Sequence, residues 1–366
     1  MKQNVTEAEQ REALARERDE LKGHAFRLAG ELESATQVNR VFAGRLAEAE
    51  AQREALLTER DELKDHLSRI ATELAEAHAL IAADPKVPLF VEPGHFYSPV
   101  VDPKSPFVER ALADALETEE SGLISGVALD ASRMHAEFEK LARWYPEMPF
   151  PLQKTEGIRF YLDNPAFSYT DAFVLYAMIR TLQPKRIVEI GCGYSTCVIF
   201  DTVDRFLTER PEIVCFDPYP DVPHALTEPD DLLRQAIRAI PLQQIPDEVF
   251  SSLEAGDILF IDSSHIARTG SDVLDYLFRA LPLVKPGVCI HIHDIGYPFE
   301  YSDEWVVQEN RSWNEIYFLR AFLMYNEAFE ILFWNNYYVK RFPSLVGQSA
   351  PLCLKDGGGS IWLLRR

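Results

Sequence analysis

The chain has 366 residues, 47% of them apolar, which is enough for a large α/β core with material to spare. Its net charge of −21 argues against a sequence-independent nucleic-acid binder, which needs a basic face to neutralise phosphates. No run approaches the ~18 consecutive apolar residues of a membrane span, and the N-terminus lacks the apolar core of a secretory leader. The five cysteines (Cys192, Cys197, Cys215, Cys289 and Cys353) form no C-x-x-C pair. They predict small buried thiols in a reducing compartment, hence a cytoplasmic protein.

Residues 1–83 read as a stalk. Gln10-Arg-Glu-Ala-Leu14 and Arg18-Asp-Glu-Leu-Lys22 return as Gln52-Arg-Glu-Ala-Leu56 and Arg60-Asp-Glu-Leu-Lys64, an offset of 42 residues. That is six heptads, so the duplication keeps a hydrophobic seam in phase. Taking Leu14 as position d puts Leu14, Leu21, Leu28, Ala35, Phe42, Ala49, Leu56, Leu63, Ile70 and Ala77 on one line. The a line is mixed, with Leu32, Leu46, Leu67, Leu74 and Ile81 against Arg11, Arg18, Asn39, Arg53 and Arg60. Asn at a favours one register of a parallel pair. The expectation is a coiled coil that makes a homo-oligomer; a solvated single helix is the alternative, given those arginines and Gly23, Gly30 and Gly44.

Helical periodicity stops at Asp84-Pro85, and Pro88, Pro93, Pro99, Pro103 and Pro106 follow. Residues 84–106 are therefore expected to be extended. Within them, Pro93-Gly-His95-Phe-Tyr97-Ser-Pro99 is aromatic enough either to pack near an active site or to act as a tether. Residues 107–145 read as amphipathic helices, which completes an 84–150 connecting region.

From 151 to the C-terminus the pattern is α/β. Ser168-Tyr-Thr-Asp171 is expected to be a capping box opening a helix over 172–182. Strands are predicted at 186–190, 212–216, weakly at 239–244, then at 257–261, 288–292, 330–338 and 360–364, with a helix over 314–325. Helices between the early strands favour parallel βαβ units.

The first strand, Arg186-Ile-Val-Glu189-Ile, breaks into Gly191-Cys-Gly193-Tyr-Ser195-Thr196. A buried parallel strand that ends in a carboxylate and two glycines turns tightly into a helix and lets a ligand approach the backbone. The next strand ends in Asp217, placed to accept both hydroxyls of a ribose. A dinucleotide fingerprint would need a third glycine, where Thr196 stands, so a nicotinamide dehydrogenase is disfavoured.

This E-x-G-x-G pattern closed by Ser/Thr resembles motif I of the class I S-adenosylmethionine (SAM) dependent methyltransferases. The resemblance spans about residues 150–366. It implies a Rossmann-like seven-stranded sheet with helices on both faces and an antiparallel final strand. It also implies a SAM site made by Glu189, Gly191, Gly193, Ser195 and Asp217, in which Gly191 and Gly193 admit the methionine end, Glu189 orders the loop or meets the cofactor amine, and Asp217 holds the ribose.

Methyl transfer to a hydroxyl needs a positioned base or a metal ion. The fourth strand ends Ile261-Asp262-Ser-Ser-His265 and the fifth His291-Ile-His293-Asp294, both at the carboxyl edge where such sheets bind ligands. The pair is similar to the metal-dependent O-methyltransferases of sugars, natural products and catechols. By that resemblance Asp262 and His265 take the catalytic places, and Asp262, His293 and Asp294 hold a divalent cation such as Mg²⁺ or Mn²⁺. His293 departs from the usual oxygen donors and suits Mn²⁺, Fe²⁺ or Zn²⁺ better.

The bland alternatives are that Asp262 caps a helix with His265 in its first turn, and that His291 is a core residue. The segment 301–313, with Trp305, Arg311 and Trp313, has the position of a substrate lid. The acceptor expected is a small molecule or glycan, specifically a sugar hydroxyl. The rival functions are a metal-free methyltransferase using His265 alone and an assembly protein with a non-catalytic SAM-like module.

Overall fold

The structure, a computed structural model, describes residues 90–366 throughout and a scatter of residues between 9 and 64. Phe90–Arg366 is one compact unit and Met1–Leu89 another. All the described residues of Met1–Leu89 are helical, and the helix runs unbroken from 14 to 30 through Gly23 and Gly30. Leu14, Leu21, Leu28 and Leu56 of the expected seam are exposed. Ala35, Phe42, Ala49, Leu63, Ile70 and Ala77 lie outside the described residues, as does Asn39.

Phe90 to Ser105 is not the extended strap that its prolines suggest. Hydrogen bonds from His95 N to Glu92 O, Ser98 N to His95 O and Gly94 N to Val100 O fold it into successive turns. Proline fixes only its own φ and biases its predecessor, which leaves the intervening residues free to turn. Helix α1 (Pro106–Ser121) then begins behind Ser105, whose hydroxyl accepts from Phe107 N, and stops at Gly122 with φ 71°. Helix α2 (Ala131–Ala142) is capped by Asp130, which accepts from Arg133 N. Both match the expected amphipathic helices.

The sheet has seven strands in the order β3-β2-β1-β4-β5-β7-β6. They are β1 (Arg186–Ile190), β2 (Glu212–Phe216), β3 (Ile237–Arg238), β4 (Ile258–Ile261), β5 (Cys289–Ile292), β6 (Phe329–Trp334) and β7 (Ile361–Arg365). β1 to β5 are parallel, and β7 inserts antiparallel between β5 and β6. Every residue of β4 and β5 is buried. Successive strand residues face opposite sides, so both faces of the sheet must be covered. The helices fall into separate packing groups: α2, α3 (Tyr169–Leu182) and α4 (Tyr194–Phe206) in one, and the segments 242–251 and 272–283 in another.

Three local expectations fail. Ser168 makes no capping bond; its hydroxyl goes to Asp356, while Asp171 turns inward and accepts from Gly359 N, Ser360 N and Asn335 Nδ2. Tertiary partners have taken both groups of the expected box. β3 is only Ile237–Arg238, because Pro241 starts a 3₁₀ turn and cannot donate to a ladder. β6 ends at Trp334, and Asn335–Arg341 is a helix (α6 below, after α5 at Glu315–Leu323). The aromatic run Tyr337-Tyr338 looks strand-like, yet Tyr338 packs on Phe138 and Phe333 from a helix.

Candidate active site

The turn after β1 is built from its own neighbourhood. Gly191 has φ 80°, and a Cβ added there would lie 2.1 Å from the carbonyl oxygen of Asp262, so glycine is required. Beside Gly193 nothing lies within 4 Å of an added Cβ, which leaves room for a ligand against the backbone. Gly193 N donates to Thr196 Oγ1 and opens α4. Glu189 is wholly buried; Oε1 accepts from Ser195 Oγ at 2.8 Å and Oε2 has no hydrogen-bond partner. Burial raises its carboxyl to about 7, against the lowering effect of Ser195, Thr196 and Cys215.

Asp217, at the end of β2, reaches back to the same turn: Oδ2 accepts from Cys192 N at 2.8 Å, and Oδ1 from Tyr219 N at 2.7 Å. Each carboxylate oxygen has a second lone pair, so the group keeps acceptor capacity for two hydroxyls. Asp217 is therefore tied by a hydrogen bond to the glycine turn. Ser195 Oγ donates to Glu189 on the inner side of the turn.

Across the Gly191–Asp262 contact lies the second half. Asp262 and His265 sit in a loop rather than a helix, so the capping alternative fails. His265 has φ 60°, and its backbone carbonyl accepts from Asn314 N and Glu315 N. Its ring Nδ1 lies 2.7 Å from Glu315 Oε2, and its Nε2 lies 3.5 Å from both Asp262 Oδ1 and Asp294 Oδ2. Glu315 is buried at the start of α5 and also accepts from Ser263 Oγ and Tyr276 OH. An Nδ1–H given to this fixed carboxylate leaves Nε2 facing the two aspartates. Burial by itself would lower the imidazole, but Glu315, Asp262 and Asp294 outweigh it and raise it to about 9. The Trp313 ring lies 4.3 Å from the imidazole, centroid to centroid.

His293 Nε2 is 3.5 Å from Asp294 Oδ1, and its Nδ1 is 3.4 Å from Ser360 Oγ. Burial would lower it, but Asp294, Asp262 and Asp171 raise it. His291 is different: it stacks on Phe260 at 3.8 Å and burial pushes it well below its ordinary value. It is a neutral core histidine.

A cavity of about 500 Å³ opens beside His293 and Asp294, walled by Leu116 of α1, Asp171, Tyr301 and Trp305. A smaller one of about 250 Å³ shares Tyr301 and Trp305 with it and reaches Trp313 and Val101. The 301–313 segment covers this end, with Arg311 held between Trp305 and Trp313 at 4.3 and 4.5 Å. Phe96 and Tyr97 stay exposed, while the Val101 amide donates to Ser312 Oγ.

The sequence reading missed Glu315, Asp171 and Ser360. Glu315 lies 50 residues from its imidazole, and nothing local distinguishes it from an ordinary first-turn acid.

The family model for a methyltransferase domain matches residues 188–295. A protein of Archaeoglobus fulgidus without an assigned activity is 26% identical over 201 residues, covering 51% of this chain and 86% of that one. Among solved structures the chain is similar to the O-methyltransferase TomG of Streptomyces achromogenes, determined with SAM. That match is 15% identical, covers 70% of this chain and 97% of the other, and has a TM-score of 0.32. It is also similar to an O-methyltransferase of Bacillus cereus in complex with S-adenosylhomocysteine (SAH), at 14% identity, 69% and 97% coverage and a TM-score of 0.34. Residues 188–295, from β1 to the end of β5 with the glycine turn and the polar strand ends just described, are a methyltransferase domain by that match.

Proposed function

We propose that the protein is a SAM-dependent O-methyltransferase whose acceptor is a hydroxyl of a sugar or glycosylated metabolite. The observation that carries the reading is the contact between Gly191 and the Asp262 carbonyl. In this reading the backbone of the adenosine site, after β1, abuts the backbone of the polar acceptor site, after β4. Gly191 and Gly193 would hold the methionine end of SAM, which would supply the methyl group to an acceptor beside His265.

In this reading Asp217 binds the ribose, and Glu189 with Ser195 fixes the turn. The acceptor enters by the cavity lined by Tyr301 and Trp305, which limits water around the reacting atoms. His265 Nε2 would take the hydroxyl proton as the acceptor oxygen gains the methyl group that SAM would supply. Glu315 keeps the ring in the productive tautomer and stabilises the imidazolium that forms.

The carboxylates of Asp262 and Asp294 have imidazole as their ion-pair partner in each case, a donor set that fits a divalent cation. A cation held by Asp262, Asp294 and His293 would supply Lewis acidity that makes the acceptor hydroxyl easier to deprotonate. The experiment is calorimetric titration of the purified protein with SAH, SAM and NAD. Tight SAH binding that disappears in Asp217→Ala supports the assignment, and NAD binding in its place ends it. Activity that survives a chelator would leave His265 as base and remove the cation.

A further inference from the structure

Among the described residues, Glu189, Cys192 and Cys215 are the group of potential metal ligands whose donor atoms all lie within 4.8 Å of one another. Their placement follows from the fold. Glu189 and Cys215 are directly paired across β1 and β2, so their side chains leave the sheet on the same face. Cys192 follows three positions after Glu189 on the glycine turn and closes over that face from above. Glu189 and Cys215 are fully buried and Cys192 half-buried, so the thiol of Cys192 is the way in from the proposed cofactor site. Glu189 Oε2, fully buried, has no hydrogen-bond partner. An orphaned carboxylate oxygen beside two thiols is a costly arrangement to leave unfilled.

We propose that Glu189, Cys192 and Cys215 form a binding site for a thiophilic divalent cation, Zn²⁺ in the first instance, beneath the glycine turn. Two thiolates and a carboxylate are a zinc donor set, and three protein ligands leave the fourth tetrahedral position open toward the proposed cofactor site. Bonds of about 2.3 Å to sulfur require the donors to close by no more than roughly an ångström. Soft sulfur donors separate this site chemically from the oxygen and imidazole groups at Asp262, His293 and Asp294, which favour harder ions. Burial holds the carboxyl of Glu189 near 7; the neighbouring Cys192 thiol, then burial, raise Cys215, and against the lowering effect of Cys215 the Cys192 thiol is raised by burial and by Glu189 and Asp217. The cation therefore displaces the thiol protons, and any proton on Glu189, to solvent as it binds.

The consequence rests on the cofactor reading above. A cation that draws Cys192 toward β2 ties down the turn that must receive the methionine end of SAM. It also takes the free oxygen of Glu189. Cation and cofactor then exclude one another, and zinc inhibits methyl transfer.

The test titrates the metal-free full chain with CdCl₂, following the ultraviolet thiolate-to-cadmium charge-transfer band, then adds SAH. The expected result is a saturable band at one Cd²⁺ per chain. It should be lost in Cys215→Ser and in Cys192→Ser and kept in Cys353→Ser, with folding of each variant checked by circular dichroism. SAH should abolish the band, and saturating Zn²⁺ should weaken SAH binding at least tenfold. No band, or a band that survives both Cys215→Ser and Cys192→Ser, overturns the site. SAH and Cd²⁺ bound together would overturn the exclusion. Failure of SAH to bind the metal-free protein would instead sink the cofactor reading and leave the cadmium result standing.

Discussion

The two ends of the proposed site are assembled in different ways. At the cofactor end, Glu189, Gly191, Gly193 and Ser195 come from one turn, and Asp217 from the next strand end. At the acceptor end, Asp262 and His265 follow β4, His293 and Asp294 follow β5, Glu315 opens α5, and Asp171 and Ser360 come from opposite ends of the compact unit. A local turn can be set by glycine conformation and a few short hydrogen bonds. A base held between carboxylates from several elements exists only when those elements are packed. The cofactor end should therefore tolerate damage at the acceptor end, while the place where they touch should tolerate none.

The sharpest way to break this division is at the contact itself. Gly191→Ala should abolish both SAH binding and methyl transfer, because the residue has φ 80° and the new Cβ meets backbone rather than a movable side chain. Binding of SAH to this variant at wild-type affinity in a calorimetric titration would show that the ends do not abut. Removing the base separates them. His265→Ala should lower kcat by about 10²–10⁴ while leaving the SAH dissociation constant within about twofold. A parallel loss of SAH affinity would mean that His265 belongs to the cofactor end.

Asp217→Ala is the converse and smaller effect. Losing hydrogen bonds to a charged acceptor should weaken SAH by about 1.5–3 kcal/mol, with the acceptor KM little changed. The mildest probe is pH. His265 must be neutral to act as a base, and its carboxylate neighbours raise it to about 9. In chelator-treated protein the rate should therefore climb with pH up to about 9. Glu315→Gln should move that midpoint down by about 1–3 units, since it removes the strongest favourable partner of the imidazolium. A profile flat from pH 6 to 9 would dispose of the dyad.

How much of this was legible beforehand follows the same division. β1 and β2 occupy the residues predicted for them, because a short β-branched run bounded by glycine or aspartate carries its own limits. The antiparallel insertion of the last strand matched the family architecture. The helix Asn335–Arg341 was misread as strand because Tyr and Val favour both a pleated surface and an aromatic core, and only packing against Phe138 and Phe333 decides between them. Ser168 and Asp171 have the spacing of a helix cap, yet distant backbone and side-chain groups compete for both and win.

By itself, then, the sequence determined the periodic elements, the glycine turn and the acids that end the parallel strands, since each depends on neighbours a few positions away. Tertiary structure alone decided that Glu315 grips His265, that Trp313 lies on its ring, and that Asp262 closes against Gly191. The physical reason is range. Backbone conformation and hydrophobic alternation are written into adjacent residues, whereas the charge state of a buried imidazole is fixed by whichever carboxylates the completed sheet brings within a few ångströms of it.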